Sequence, residues 1–327
     1  MNLFISKLID HYALYDLHRK RSANSQFSSV INEVPSIKDR ESFYQSFKTD
    51  VNYDIQYSKE GYDVGSFSFL SLFSSGDTPN DLVNGEVFLN NHHDEVPNVI
   101  FIHGWRMSSF DRIKKIFHER IAEELKWNMY YFTLPYHFER EPETSLYSGE
   151  FMISANISRT IDSTRQAVKD LRALIQWIKK NKKGPVVLIG VSLGGFITNL
   201  VATLESEIDI LTSIFYANRL SYSIWNTVPG KFIRKDLEEH GVKYEDLTSY
   251  WEITDPSQAV PKMKKDNILL ISAKYDQYVH IEDADRLWEA WGRPPRYIYK
   301  GGHAGIVLNR KRIAVDTLSF IQNKLKR

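Results

Sequence analysis

Apolar and polar positions follow one another along this chain in two rhythms. Val99–His103 (VIFIH), Met129–Leu134 (MYYFTL), Val186–Gly190 (VVLIG), Ile210–Tyr216, Ile268–Ser272 and Arg296–Lys300 are short runs, most of them continuously apolar, with the length and residue types of buried strands. Between them the period lengthens. Ile113, Ile116, Phe117, Ile121 and Leu125 share one face of a helix over 111–125. Ile161, Thr164, Val168, Leu171, Ile175 and Ile178 step alternately by three and four, which predicts a helix over 156–181 that stops at Gly184-Pro185. Helices around Ile281–Trp291 and Arg312–Leu325 complete the alternation. Strands of this kind separated by amphipathic helices predict an α/β fold, with a mostly parallel, doubly wound sheet of about eight strands.

Two stretches fall outside that rhythm. Residues 1–64 read as a mainly helical, polar extension, and 65–327 as the α/β domain. The domain opens with SFSFLSLF and GEVFLN, early antiparallel strands on either side of the turn-like SSGDTPND. Residues 221–266 contain Trp225, Phe232, Tyr244, Tyr250 and Trp251 but no strand pattern. Their place between two sheet strands predicts a small helical cap insertion over the C-terminal ends of the strands, where sites in such sheets are built.

Composition narrows the chemistry. Of 327 residues 42% are hydrophobic and 25% charged, and 42 basic against 41 acidic residues leave a formal charge of +1. These are globular proportions, with no electrostatic case for a nucleic-acid partner. The absence of cysteine excludes disulfides, a thiol nucleophile and thiolate metal sites. Lys7 and Asp10 interrupt the apolar N-terminal stretch, so it lacks the form of a secretory signal. No apolar run approaches the ~20 residues that span a bilayer. A cytoplasmic protein without an integral membrane segment is the expectation. Phe4, Leu8, Tyr12 and Tyr15 form an apolar face on the first helix, expected to pack on the domain body or on a second subunit in an oligomer. Asn91-His92-His93-Asp94-Glu95 has the wrong spacing for a metal site and reads as a solvated turn. No cofactor is expected.

The candidate chemistry lies where strands end. Gly190-Val191-Ser192-Leu193-Gly194 is a G-x-S-x-G sequence between a strand and a helix. A turn that tight projects the serine hydroxyl at a helix start, where unpaired N–H groups favour negative charge. The glycines Gly190 and Gly194 let neighbouring backbone pass. A P-loop would need Lys-Ser or Lys-Thr after the second glycine, and the chain has Gly195-Phe196. Ile102-His103-Gly104-Trp105 follows another strand, and Trp105 N–H with Leu193 N–H would form an oxyanion hole. His103 and Gly104 are then structural parts of that loop, because His103 precedes the serine in the wrong chain order for its base. Asp276 follows the strand ILLISA, and His303 follows the last strand in the glycine-rich GGHAG. Ser192 as nucleophile, Asp276 as orienting acid and His303 as base stand in the chain order of an α/β-hydrolase triad. Asp283, Asp285 and Asp255 are weaker acids, in helix or turn patterns. Arg106, His137 and Arg140 lie in loops after strands and are candidate substrate contacts.

IFIHGW, GVSLGG, AKYDQYV and GGHAG together resemble the α/β-hydrolase superfamily over roughly residues 65–327. The HGW and SLGG pair is similar to small carboxylesterases whose Trp and Leu backbone amides form the oxyanion hole. The resemblance implies a parallel eight-stranded sheet and metal-free hydrolysis of esters, thioesters or amides. Leu134-Pro135-Tyr136-His137 departs from the Gly-His-Gly loop that superfamily members often carry there, and residues 1–64 match nothing in the resemblance. The expected function is a serine hydrolase of a small or medium ester or thioester. Peptidase or amidase activity with the same triad is one alternative, and a catalytically silent fold that binds a ligand or partner is another.

Overall fold

The computed structural model describes residues 3–21, 24–30 and 35–326. Nine strands form one sheet: β1 (Asn52–Lys59), β2 (Tyr62–Leu70), β3 (Leu82–Asn90), β4 (Asn98–Ile102), β5 (Asn128–Phe132), β6 (Val186–Val191), β7 (Ile210–Ile214), β8 (Ile268–Ala273) and β9 (Arg296–Tyr299). Their spatial order is β1-β2-β3-β5-β4-β6-β7-β8-β9. β1 to β3 run antiparallel, and β3 meets β5 antiparallel. From β5 to β9 every pairing is parallel. The sheet therefore begins upstream of Gly65, inside the stretch that the sequence pattern reads as helical extension. β1 alternates Tyr53, Ile55 and Tyr57 with polar residues, but it is an edge strand and of these only Tyr53 is half-buried.

Alternate residues of each central strand feed opposite faces, as the pleat requires. Ile100, Ile102, Leu188, Leu211 and Leu270 face a core that includes the helices Ile157–Asn181, Leu193–Ala202 and Ile281–Ala290. Val99, Phe101, Val187, Ile189, Leu269 and Ile271 face a second core with Asp111–Arg120 and Ile306–Leu325. β4 and β6 have every residue buried, which is why they read as unbroken apolar runs. The stripe from Ile161 to Ile178 is buried throughout. The final helix starts at Ile306, several residues before its apolar period becomes legible.

Between β7 and β8 the chain forms the helices Leu220–Asn226, Lys231–Glu239 and Tyr244–Tyr250. Val228, in this insertion, packs against the cluster of Leu14, Leu17 and Tyr147, as does Tyr278. Its N–H donates to Gln277 O at 3.2 Å, tying the insertion to the loop after β8.

The N-terminal helix Leu3–Ala13 corrects one expectation. Phe4, Leu8, Tyr12 and Tyr15 are 57–80% exposed, so they do not pack on the domain body. Ser6 and Asp10, four residues apart on another face, are buried. The polar stripe of the helix is what meets the domain, because Asp10 finds backbone donors there that solvent-facing apolar residues do not require. No helix among the described residues is long and apolar enough to cross a membrane.

Candidate active site

Ser192 sits between β6 and the helix Leu193–Ala202 with φ 56° and ψ −116°. A non-glycine residue in that region is strained, and the surroundings must hold it there. Its N–H donates to Ile214 O at 2.9 Å, anchoring the turn to β7. Close backbone approach explains the glycines. A Cβ on Gly194 would stand 2.2 Å from Ile102 O, and one on Gly190 would stand 2.5 Å from Gly194 O. Gly194→Ala is therefore expected to force the turn away from β4 and to destabilise the fold by about 1–3 kcal/mol or more, read by denaturant unfolding.

The other two residues arrive on loops after β8 and β9. Ser192 Oγ lies 2.9 Å from His303 Nε2, and His303 Nδ1 lies 2.8 Å from Asp276 Oδ2. A carboxylate only accepts, so Nδ1 carries the proton and Nε2 presents its lone pair to the serine. Asp276 is held in turn. Its Oδ1 accepts from Tyr278 N–H at 2.8 Å and from Val279 N–H at 2.9 Å. Burial pushes the His303 imidazole pKa down, but the Asp276 carboxylate beside it prevails and leaves it raised. Tyr278 stacks on the His303 ring at 4.5 Å. Asp10 accepts from His303 N–H and Ala304 N–H, each at 2.9 Å.

The loop after β4 lies against the nucleophile. A Cβ on Gly104 would stand 3.3 Å from Ser192 Cβ. His103 is fully buried, donating from Nδ1 to Gly104 O at 2.9 Å and accepting at Nε2 from Leu134 N–H at 3.1 Å. Burial lowers its pKa to about 4, so it stays neutral and shapes this loop. Trp105 ties the loop down by donating from Nε1 to Gly149 O at 2.8 Å.

Two of the candidate substrate contacts are corrected. His137 is fully buried, with Nδ1 donating to Pro135 O at 2.8 Å and Nε2 accepting from Arg106 N–H at 3.3 Å. Burial lowers its pKa well below the ordinary value. Arg140 is also fully buried, ion-paired with Asp170 at 3.0 Å and donating to Asn80 O and Thr133 O. Neither side chain has a group left for a substrate. Their loop holds the sheet end together, and the polarity that marks them in the sequence is spent internally. Arg106 lies at the edge of the site, its guanidinium 5.6 Å from the centre of the Tyr147 ring. Asp283 pairs with Arg219, Asp285 with Arg296, and Asp255 caps the turn at Ser257.

No family model matches the sequence. The uncharacterized protein YdjC of Bacillus subtilis (strain 168) is 69% identical over 115 residues, 99% of its own length and 35% of this chain. The chain belongs to the YdjC family. The uncharacterized protein Rv2627c of Mycobacterium tuberculosis is 28% identical over 289 residues, 85% of this chain, which spans 64% of that relative's length. Among solved structures, an acetyl xylan esterase from Paenibacillus sp. R4 superposes with a TM-score of 0.66 at 11% identity, over 94% of this chain and 99% of that one. With the mostly parallel sheet, this likeness establishes the α/β-hydrolase fold for this YdjC-family chain.

Sequence reasoning brought together Ser192, Asp276, His303, Gly104 and His103, and missed Asp10 and Tyr278. Asp10 carried a weak signal, the polar i, i+4 pair with Ser6 on a helix whose other face is apolar. Tyr278 carried none beyond its nearness to Asp276.

Proposed function

We propose that this protein is a serine hydrolase that cleaves a small or medium ester or thioester through an acyl-enzyme on Ser192. The observation that carries this reading is the hydrogen bond from Ser192 Oγ to a His303 whose tautomer Asp276 sets. Neutral His303 accepts the Ser192 proton as Oγ attacks the carbonyl carbon, then returns it to the leaving oxygen or sulfur as that bond breaks. Water repeats the cycle: His303 takes its proton, the hydroxide attacks the acyl-enzyme, and the proton goes back to Ser192 Oγ. Leu193 N–H and Trp105 N–H receive the oxyanion, each worth roughly 3–4 kcal/mol of barrier. An apolar cluster of Leu14, Leu17, Tyr147, Trp105, Val228 and Tyr278 borders this centre and supports a substrate with an apolar part, with Arg106 at its edge for a polar one. Likeness in fold to an acetyl xylan esterase is in keeping with an ester substrate.

Intact-mass labelling with a fluorophosphonate tests the reading. One adduct on the wild type and none on Ser192→Ala is expected, followed by ester, thioester and amide panels to set the leaving group. A folded wild type that takes no adduct sinks the proposal in favour of a silent fold. The pH profile has a defined sign. His303 works as the neutral base and its pKa is raised, so kcat/KM falls as pH drops through that raised value. The acid limb should therefore lie above the ~6.5 of an ordinary histidine.

A further inference from the structure

We propose that Asp10, on the N-terminal helix Leu3–Ala13, is a positioning residue that clips the base loop to the acid loop and so makes this helix part of the catalytic centre. This inference rests on the hydrolase reading of Ser192, His303 and Asp276. One carboxylate spans both loops. Asp10 Oδ2 accepts from His303 N–H at 2.9 Å and Gln277 N–H at 3.1 Å, while Oδ1 accepts from Ala304 N–H at 2.9 Å. The Asp10 backbone carbonyl accepts from the Tyr278 hydroxyl at 2.8 Å, and Tyr278 is the ring stacked on His303.

The arrangement is specific to a carboxylate at this place. Three backbone donors converge on it, and an acceptor-only group satisfies all of them without bringing a proton of its own. A Cβ on Gly302 would stand 2.5 Å from Asp10 Oδ2, so only glycine lets the loop before His303 reach the helix. Gln277 immediately follows the acid and Ala304 immediately follows the base, so the clip acts within one residue of each. Gln277 lies in irregular loop, and His303 and Ala304 open the 3-10 turn His303–Gly305, where the first N–H groups have no carbonyl within the turn; without Asp10 these three half-buried N–H groups lose their acceptor. The His303 side chain must hold two bonds at once, to Ser192 and to Asp276, and a shift of its backbone breaks both.

The second effect is electrostatic. Asp276 is the largest charge raising the His303 pKa, Asp10 adds to it from the helix, and Arg112 opposes them from the helix Asp111–Arg120. Tyr278 faces the same ring but is neutral in the working range, its hydroxyl pKa being raised by burial. Asp10 thus supports the imidazolium that forms when Ser192 gives up its proton.

The experiment compares wild type with Asp10→Asn and Asp10→Ala, each checked for folding by its Tm. In Asp10→Asn the size is kept, one oxygen still accepts, and the amide group faces a backbone donor it cannot bond. The rate of fluorophosphonate labelling and kcat are expected to fall about 10- to 100-fold with KM changed by less than about 3-fold, because misplaced reacting groups slow the chemical step. The acid limb of the profile moves to lower pH as one negative charge near His303 is lost. A rate that falls only in proportion to the unfolded fraction, with the acid limb unmoved, overturns the inference and leaves Asp10 a stabilising contact. Titration of the His303 imidazole by NMR, assigned with His303→Gln, does not depend on turnover. If that titration is the same in wild type and Asp10→Asn, the clip is refuted. If wild type takes no label yet the titration falls in Asp10→Asn, the hydrolase reading fails while the clip stands.

Discussion

Ser192→Ala is expected to lower kcat on an activated aryl ester by roughly 10⁶-fold, His303→Ala by about as much, and the double variant by no more than either. The sum is not additive because in the proposed mechanism the two residues perform one proton transfer: Oγ is a poor nucleophile unless Nε2, 2.9 Å away, removes its proton. Once either is gone, only binding and the oxyanion donors remain. Asp276→Asn should behave differently, at roughly a 10⁴-fold loss. The backbone N–H groups of Tyr278 and Val279 hold the Asp276 Oδ1 position, so the remaining amide oxygen stays with them. The new NH₂ then faces His303 Nδ1 and turns the imidazole to the wrong tautomer. Steady-state hydrolysis by the purified variants, set against the rate of the ester in buffer, measures all four. A double variant that loses the product of the two single losses would show that Ser192 and His303 act independently.

The largest effect on stability is expected outside this centre. Asp170→Ala should destabilise the protein by about 3–5 kcal/mol, because it leaves the Arg140 guanidinium charged and unpaired in a site with no solvent access. Arg140 also donates to Asn80 O and Thr133 O, and Asp170 Oδ1 accepts from Ser71 Oγ at 2.7 Å, so the pair joins the segments just after β2, just before β3 and just after β5 to the long helix Ile157–Asn181. Removing the charge as well, in Arg140→Met with Asp170→Ala, should lose less than the two single changes added together. Urea unfolding of the three variants checks this. Arg140→Met alone should lower the midpoint while leaving the labelling rate of the folded fraction unchanged, since Arg140 has no group free for substrate.

Much of this was legible in the residues and part of it was not. β4, β6, β7 and β8 are buried on both sides, so continuous apolar runs marked them, and the 3.6 period marked the helix beneath. G-x-S-x-G could be read because a turn that tight admits only glycine where a Cβ would stand 2.2 Å from neighbouring backbone. The order of Ser192, Asp276 and His303 was readable because each follows a strand. β1 was not, because its alternation at Tyr53, Ile55 and Tyr57 is short and set among polar residues, as suits an edge strand that buries little. His137 and Arg140 look like substrate ligands in a sequence, which records polarity but not whether a polar group already has partners. The N-terminal helix shows the same limit most sharply. Its apolar residues pointed to one packing face, yet Asp10 and Ser6 are buried while Phe4 and Tyr12 face outward. Local pattern determined which segments are helix or strand and which loops bear chemistry, since those depend on neighbours a few residues away. Only the tertiary structure decided that Asp10 reaches backbone donors at Gln277, His303 and Ala304, because those partners stand some 270 to 290 residues along the chain and become neighbours only when the sheet brings its strand ends together.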